Sequence, residues 1–291
     1  MTYIFPTFAD VRNAADRIAP FAEKTPVLIS SAINKMVNAE LYFKCENFQK
    51  VGAFKFRGAC NAVFSVPNNK ASKGVATHSS GNHAAALALT GRLRGIPVHV
   101  VMPSNTLDVK KNAVADYGAN ITYCEPTLSA RESTLKTIIN ETKAIEIHPY
   151  NDERIIAGHG TVALELLQNI ADLDVIIAPV GGGGLISGTC IAAKGINSDI
   201  TIIGAEPKGA DDAYQSLEKG EIIPQTNPRT IADGLLTSLG EKTFPIIFKH
   251  VSKILTVSEN EIIRAMKLIW ERLNIIIEPS SAVVLAALLE H

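Results

Sequence analysis

From about residue 74 the sequence alternates short β-rich apolar runs with helical patterns, and this alternation restricts the fold more than any other feature. GVATH leads to a helical stretch from Asn82 to Arg94, VHVVM to one from Asp108 to Tyr117, and NITYC to a polar helix followed by AIEIH. A second series has a helix near Thr161 to Ile170, the strand DVIIAPV, a helix after Gly184, and the strands TIIGAEP and KILTVS. Ser258 and Glu261 then form a capping-box pattern that opens an amphipathic helix to Arg272. The rhythm predicts an α/β fold with two open, mostly parallel sheets flanked by helices. No Gly/Ser linker and no internal repeat separates the two series, so any boundary between them is tight.

Composition narrows the class. At 291 residues, 46% hydrophobic and 20% charged, the chain can bury a large core and is too apolar for disorder. Its net charge of -1 and scattered Lys and Arg form no basic stripe, which argues against nucleic acid as a partner. Cys45, Cys60, Cys124 and Cys190 lie far apart and read as reduced intracellular thiols. The opening stretch MTYIFPTFADVRNAADRI turns amphipathic at once, and no apolar run approaches the roughly 18 residues that span a bilayer. The expectation is a cytoplasmic, soluble protein without a membrane partner.

Ligands of open parallel sheets gather at the carboxyl ends of strands. After DVIIAPV come Gly181, Gly182, Gly183 and Gly184. Four residues without Cβ let successive N–H groups curl round an anion, and the following helix adds its positive end. The spacing fits neither a Walker A loop nor GxGxxG, so the loop is either a phosphate cradle or a tight strand-to-helix turn. After GVATH come Ser79, Ser80, Gly81, Asn82 and His83, whose small hydroxyls suit a carboxylate or an ordinary helix cap. In GAFKFRG a single lysine, Lys55, sits among apolar and small residues, where desolvation favours the uncharged amine that an imine requires. A phosphate at one loop, a carboxylate at the other and an imine between them describe an amino acid joined to pyridoxal phosphate.

GAFKFRG, THSSGNHAA, PVGGGG, AEPKGADDAYQS and TIADGL together resemble the fold type II pyridoxal-phosphate enzymes, the tryptophan synthase β family, in its serine racemase and threonine dehydratase branch. The resemblance spans nearly the whole chain and implies a large cofactor-binding domain from 1–73 and 150–291, with a smaller inserted domain from 74–149. It implies that Lys55 holds the cofactor, Asn82 lies by the pyridoxal 3-hydroxyl, Phe54 packs near the ring and Gly181 to Gly184 hold the phosphate. Ser79, Ser80, Asn82 and His83 match the substrate loop, and Arg131 matches an arginine of the substrate lid. Tyr150 falls in the loop PYNDERIIAGHGT that closes the site in relatives, and Glu278 falls near the ring. Ala53 stands where relatives frequently have serine.

Threonine dehydratases that this chain resembles often read SAGNH, whereas serine racemases read SSGNH, as here, although bacterial or yeast hydroxyaspartate dehydratases share that second serine. Lys55 and Ser80 are therefore the expected pair of proton-handling groups for serine racemisation, with accompanying dehydration of serine. The alternatives are a threonine or threo-3-hydroxyaspartate ammonia-lyase and, more remotely, a non-catalytic protein that binds pyridoxal phosphate. Glu206, Ala210 and Asp212 match a site for Mg²⁺, Ca²⁺ or Mn²⁺ in the racemases. The competing reading makes Glu206 a solvated strand end and Asp211 or Asp212 a helix cap. The family implies a homodimer, with SAVVLAALL either at its interface or in the core, and some racemases take a nucleotide effector. A further strand, with a pattern such as LSGGN, contacts the pyridine nitrogen in relatives. No such pattern follows Leu289, so either the chain continues or another group has that role.

Overall fold

The computed structural model describes residues 4–291, so Met1, Thr2 and Tyr3 of the amphipathic opening stretch lie outside the described residues. In chain order the elements are α1 (Phe8–Ile18), β1 (Val27–Leu28), α2 (Ser31–Val37), β2 (Phe43–Lys44), α3 (Lys55–Ser65), α4 (Asn68–Ala71), β3 (Val75–His78), α5 (Asn82–Arg94), β4 (Val98–Pro103), α6 (Asp108–Asp116) and β5 (Asn120–Cys124). There follow α7 (Leu128–Thr142), β6 (Ile145–Glu146), α8 (Glu153–Asn169), β7 (Val175–Pro179), α9 (Gly184–Ile196), β8 (Thr201–Pro207), α10 (Asp212–Lys219), α11 (Phe244–His250), β9 (Val251–Val257), α12 (Glu259–Leu273) and α13 (Pro279–Glu290).

The alternating strands form two parallel sheets, ordered β5-β4-β3-β6 and β7-β8-β9. Val75 to His78 pair in step with Val98 to Val101, and Val175 to Pro179 with Thr201 to Ala205. The α/β expectation is met, with a two-stranded antiparallel ribbon of β1 and β2 added. Several helix limits differ from the sequence pattern, with α6 and α8 ending one residue before Tyr117 and Ile170. α8 starts at Glu153 rather than near Thr161, because Asp152 accepts the Arg154 amide and caps it there. α12 runs one residue past Arg272 and stops at Asn274 in the left-handed conformation, and Lys55 is the first residue of α3. SAVVLAALL lies in α13, whose Val283, Leu285 and Ala286 are fully buried against α12 and β8; that run belongs to the core.

One apolar cluster joins Phe56, Ala59 and Val63 of α3 to Val75 of β3, Leu87 of α5 and Val100 of β4. Another joins Ile176 of β7, Ile186 and Cys190 of α9 and Ile202 of β8. Between them α8 packs on α3 through one glycine pair and on α9 through another. A Cβ on Gly158 would come 2.7 Å from the Cα of Gly58, and one on Gly188 would come 2.4 Å from the carbonyl oxygen of Ile156 and 2.5 Å from the nitrogen of Gly160. Those are rigid backbone atoms, so the helices approach this closely only where the side chain is missing. Gly188→Ala is therefore expected to cost about 1–3 kcal/mol or more through forced separation of α8 and α9, read as a lower denaturant midpoint with an unchanged slope.

Candidate active site

Lys55 stands at the first position of α3, half-buried as a residue, with its Nζ 3.1 Å from the carbonyl oxygen of Pro149 and 5.1 Å from the centre of the Phe54 ring. Among the described residues no carboxylate pairs with it. Burial of the amine lowers its pKa to about 8, and the positive end of the helix acts in the same direction. His83, His148 and His159 surround it. Burial, reinforced by the Lys55 charge, holds His83 and His159 well below the usual imidazole range, while burial followed by the charges of His78 and Lys55 lowers His148 to about 3. The cluster is thus one reactive amine among neutral imidazoles.

Four of the longer helices begin on a side-chain cap: Thr7 for α1, Thr127 for α7, Asp152 for α8 and Ser258 for α12. α3, α5 and α9 have none, nor do α6 and α13. Their first amides are free for other acceptors, which makes the α5 and α9 starts suited to anions. At α9, Gly183 has φ +84, the left-handed region that favours glycine, and its Cβ would meet Thr243 and Ile247. Thr243 Oγ1 donates to the Gly182 carbonyl at 2.9 Å and so braces the loop from behind. A Cβ on Gly182 would fall 2.3 Å from the Tyr150 ring, so only glycine lets Tyr150 lie against the cradle. The capping alternative for Ser79 and Ser80 is not what forms: no side-chain cap serves α5, and Ser79 Oγ only accepts the Gly81 amide at 3.4 Å.

The remaining predicted residues divide into two groups. Asn82 Nδ2 lies 3.0 Å from both oxygens of Glu278, which joins the α5 start to the α13 start. His83 Nε2 lies 3.3 Å from the Ile147 carbonyl oxygen, leaving Nδ1 buried without a partner. Ser80 is half-buried, and its hydroxyl has no partner among the described residues. Arg131, in the first turn of α7, is half-buried rather than a surface arginine; its Nε has no partner, and its charge acts on His78, at the end of the strand that carries Ser79. Phe54 meets His159 edge-on, with ring centres 4.8 Å apart.

Glu206, at the end of β8, gathers with Ala210 and with Asp212 at the start of α10. Glu206 is not a solvated strand end. It is fully buried and accepts the Tyr214 amide at 2.8 Å and the Ala213 amide at 3.3 Å, so Glu206 itself serves the start of α10. Burial and the Asp212 charge push its carboxyl well up, and burial raises Asp212 to about 6. Asp212 Oδ1 accepts from Gln225 at 3.1 Å, while Oδ2 is buried without a partner. Two buried acids with an unsatisfied oxygen are chemically suited to a hard divalent cation. Ala210 is buried beside them, its amide bonded to the Pro207 carbonyl.

Sequence patterns missed His148, His159, Thr243 and the Arg57 network. His148 Nδ1 accepts the amides of Asn151 at 2.9 Å and Tyr150 at 3.3 Å, curling the loop that presents Pro149 to Lys55. The one local signal was GHG, two glycines around a histidine inside a helix. Two residues beyond Lys55, Arg57 donates to both oxygens of Glu46 at 2.8 Å and to Glu165 at 2.9 Å, and Lys44 meets Glu165 at 2.6 Å. Burial alone would raise the Glu165 carboxyl, but hydrogen bonds and charge from Arg57 and Lys44 outweigh it and hold the group below the usual range. Arg57→Ala strands two acids and is expected to cost about 3–5 kcal/mol at neutral pH by denaturant unfolding. Because a depressed carboxylate stabilises only while ionised, the gap between variant and parent narrows as the pH falls through the folded pKa of Glu165.

The family described as pyridoxal-phosphate dependent enzyme matches residues 18–291. A serine racemase of Dictyostelium discoideum is 53% identical over 287 residues, covering 98% of this chain and 89% of its own. A beta-hydroxyaspartate dehydratase of Paracoccus denitrificans is 50% identical, covering 98% and 91%. The solved structure of maize serine racemase superposes with a TM-score of 0.97 at 48% identity, covering 98% of this chain and 87% of that one. With its sheets, its glycine cradle and its buried amine in the family's order, this chain belongs to the pyridoxal-phosphate dependent enzymes.

Proposed function

We propose that the protein interconverts L- and D-serine and also dehydrates serine to a keto acid and ammonia. The observation that carries this reading is the pairing of a desolvated, easily deprotonated Lys55 with an unpartnered Ser80 hydroxyl at an uncapped helix start. Similarity to serine racemases supports it.

The residues suit the cofactor. Lys55 would offer the amine, the α9 start and Gly181 to Gly184 amides and room for a phosphate, Asn82 an amide group for the ring hydroxyl, and Phe54 an apolar face. Bound pyridoxal phosphate supplies an electron sink for the pair released when the substrate Cα–H bond breaks. The Ser80 and His83 amides and the Ser79 and Ser80 hydroxyls at the α5 start orient the substrate carboxylate. Lys55 Nζ takes the Cα proton on one face, and Ser80 Oγ delivers a proton to Cα on the other, which inverts the centre. In dehydration Lys55 Nζ passes the proton it took to the departing β-hydroxyl, which leaves as water, and the enamine product, once released, tautomerises and adds water to give the keto acid and ammonia. Tyr150, lying against the cradle, keeps bulk water from that end of the site.

The second reading, a threonine or threo-3-hydroxyaspartate ammonia-lyase, is favoured by the unpartnered Nε of Arg131, which suits a second carboxylate, and by similarity to the hydroxyaspartate dehydratase. The proposal includes residues 74–149 as the smaller domain carrying the substrate loop, and a cytoplasmic homodimer. Exposed Ile263 and Trp270 on α12 and Ile276 after it offer an apolar face to a second copy; among the described residues no helix is long and apolar enough to cross a membrane. It also includes Mg²⁺, or Ca²⁺ or Mn²⁺ in its place, held by Glu206, Asp212 and the Ala210 carbonyl.

A panel of both serine enantiomers, threonine and threo-3-hydroxyaspartate, with keto acid and enantiomer scored, with and without Mg²⁺ and a nucleoside triphosphate, separates the readings. Ser80→Ala is expected to lower serine interconversion by about 100-fold or more while keto-acid release from L-serine stays within about tenfold; full interconversion in the variant contradicts the two-group proposal. Mg²⁺ at about 100 times its Kd is expected to stabilise the parent by about 2.7 kcal/mol, and a Glu206→Gln, Asp212→Asn variant not at all. An equal thermal shift in both sinks the cation site.

A further inference from the structure

The proposed reaction makes no use of His159, yet α3 and α9 both close on it. The residue is 0% exposed and lies in the first half of α8, between Gly158 and Gly160. Its imidazole fills a slot that two other glycines leave open. A Cβ on Gly58, one turn after Lys55, would lie 2.6 Å from His159 Nε2, and a Cβ on Gly184, the first residue of α9, would lie 3.2 Å from Nδ1. Phe54, adjacent to Lys55, closes the slot edge-on at 4.8 Å. Neither ring nitrogen has a hydrogen bond of good geometry, although the Gly184 backbone is close enough to favour the charged ring slightly. Burial, then the charges of Lys55 and His83, keep the ring neutral.

A polar ring buried without a partner is destabilising, so the site does not hold histidine for stability alone. What the ring supplies is a flat, stiff body between the first turns of two helices, and bulk beside an amine that must stay dry. We propose that His159 is a positioning residue, a rigid wedge that sets Lys55 against the glycine cradle and excludes water from the Lys55 amine. The inference rests on the cofactor reading above. Lys55 is faced by His83 from α5, by His148 from the loop after β6 and by His159 from α8, and by no acid among the described residues. Water admitted by removing His159 therefore has a single main effect, which is to ease the charging of Lys55.

The test uses cofactor-free protein mixed with pyridoxal phosphate, following the visible absorbance of the lysine-bound cofactor against pH. In the parent the rate should rise through about 8, as Lys55 loses its proton. His159→Ala is expected to move that midpoint up by about one unit, towards the ordinary lysine value, and to weaken cofactor binding by about tenfold. His159→Asn, neutral but shorter, carries the same upward shift if the alanine variant does not fold. His159→Gln, neutral and of similar length, should stay within about threefold of the parent in binding with an unmoved midpoint. A parent that develops no visible band counts against the cofactor reading itself. A normal parent band with an unmoved midpoint and unchanged binding in the Ala or Asn variant overturns the role of His159.

Discussion

The site depends on the close contact of α8 with α3 on one side and α9 on the other. Gly58 meets Gly158, and Gly160 meets Gly188, at separations that a single methyl group would abolish. Helices that touch backbone to backbone have little freedom to slide, because the neighbouring atoms cannot rotate away as side chains do. α3 carries Lys55 at its first position and α9 begins at the glycine cradle, so the glycine contacts fix the distance between the amine and the anion site. The slot between the two helix starts is filled by one residue of α8, His159.

Charge is distributed to suit this arrangement. Around Lys55 the titratable neighbours are imidazoles held neutral by burial, and among the described residues its one hydrogen bond goes to a backbone carbonyl. An acid in the same place would pin the amine in its charged form, useless as a nucleophile or base. The buried ions are set apart. Arg57 and Lys44 are matched by Glu46 and Glu165 behind α3, where they lock the ribbon of β1 and β2 to the helix that starts at Lys55. Glu206 and Asp212 form an acid pair between the end of β8 and the start of α10, with carboxyls raised and one oxygen unsatisfied among the described residues.

How much of this was legible followed from how local each signal is. The parallel strands and the helices α5, α6, α7, α9 and α12 showed in the sequence because their patterns extend over several residues. The ribbon of β1 and β2 did not, since strands of two residues carry no period. The early start of α8 was hidden by NDERIIAGHGT, whose polar and glycine residues read as a loop until Asp152 is seen to cap it. The glycine loop was legible because four glycines in a row have few uses, whereas Lys55 gained meaning only beside it. Arg57 and His159 were invisible for a simple reason: Arg57 reaches Glu165, 108 residues on, and His159 sits against Gly58, far back in the chain. For Glu206 the sequence suggested the chemistry, but its burial and its service to the α10 amides required the fold.

The central claim is that Lys55, singled out by burial of its amine and by its place between two uncapped helix starts, is the lysine that binds pyridoxal phosphate. Borohydride reduction of the protein with its cofactor, followed by peptide mass mapping, tests it directly. The account predicts one pyridoxyl group per chain, on the peptide that contains Lys55. A label on any other lysine, or one spread over surface lysines, would contradict it.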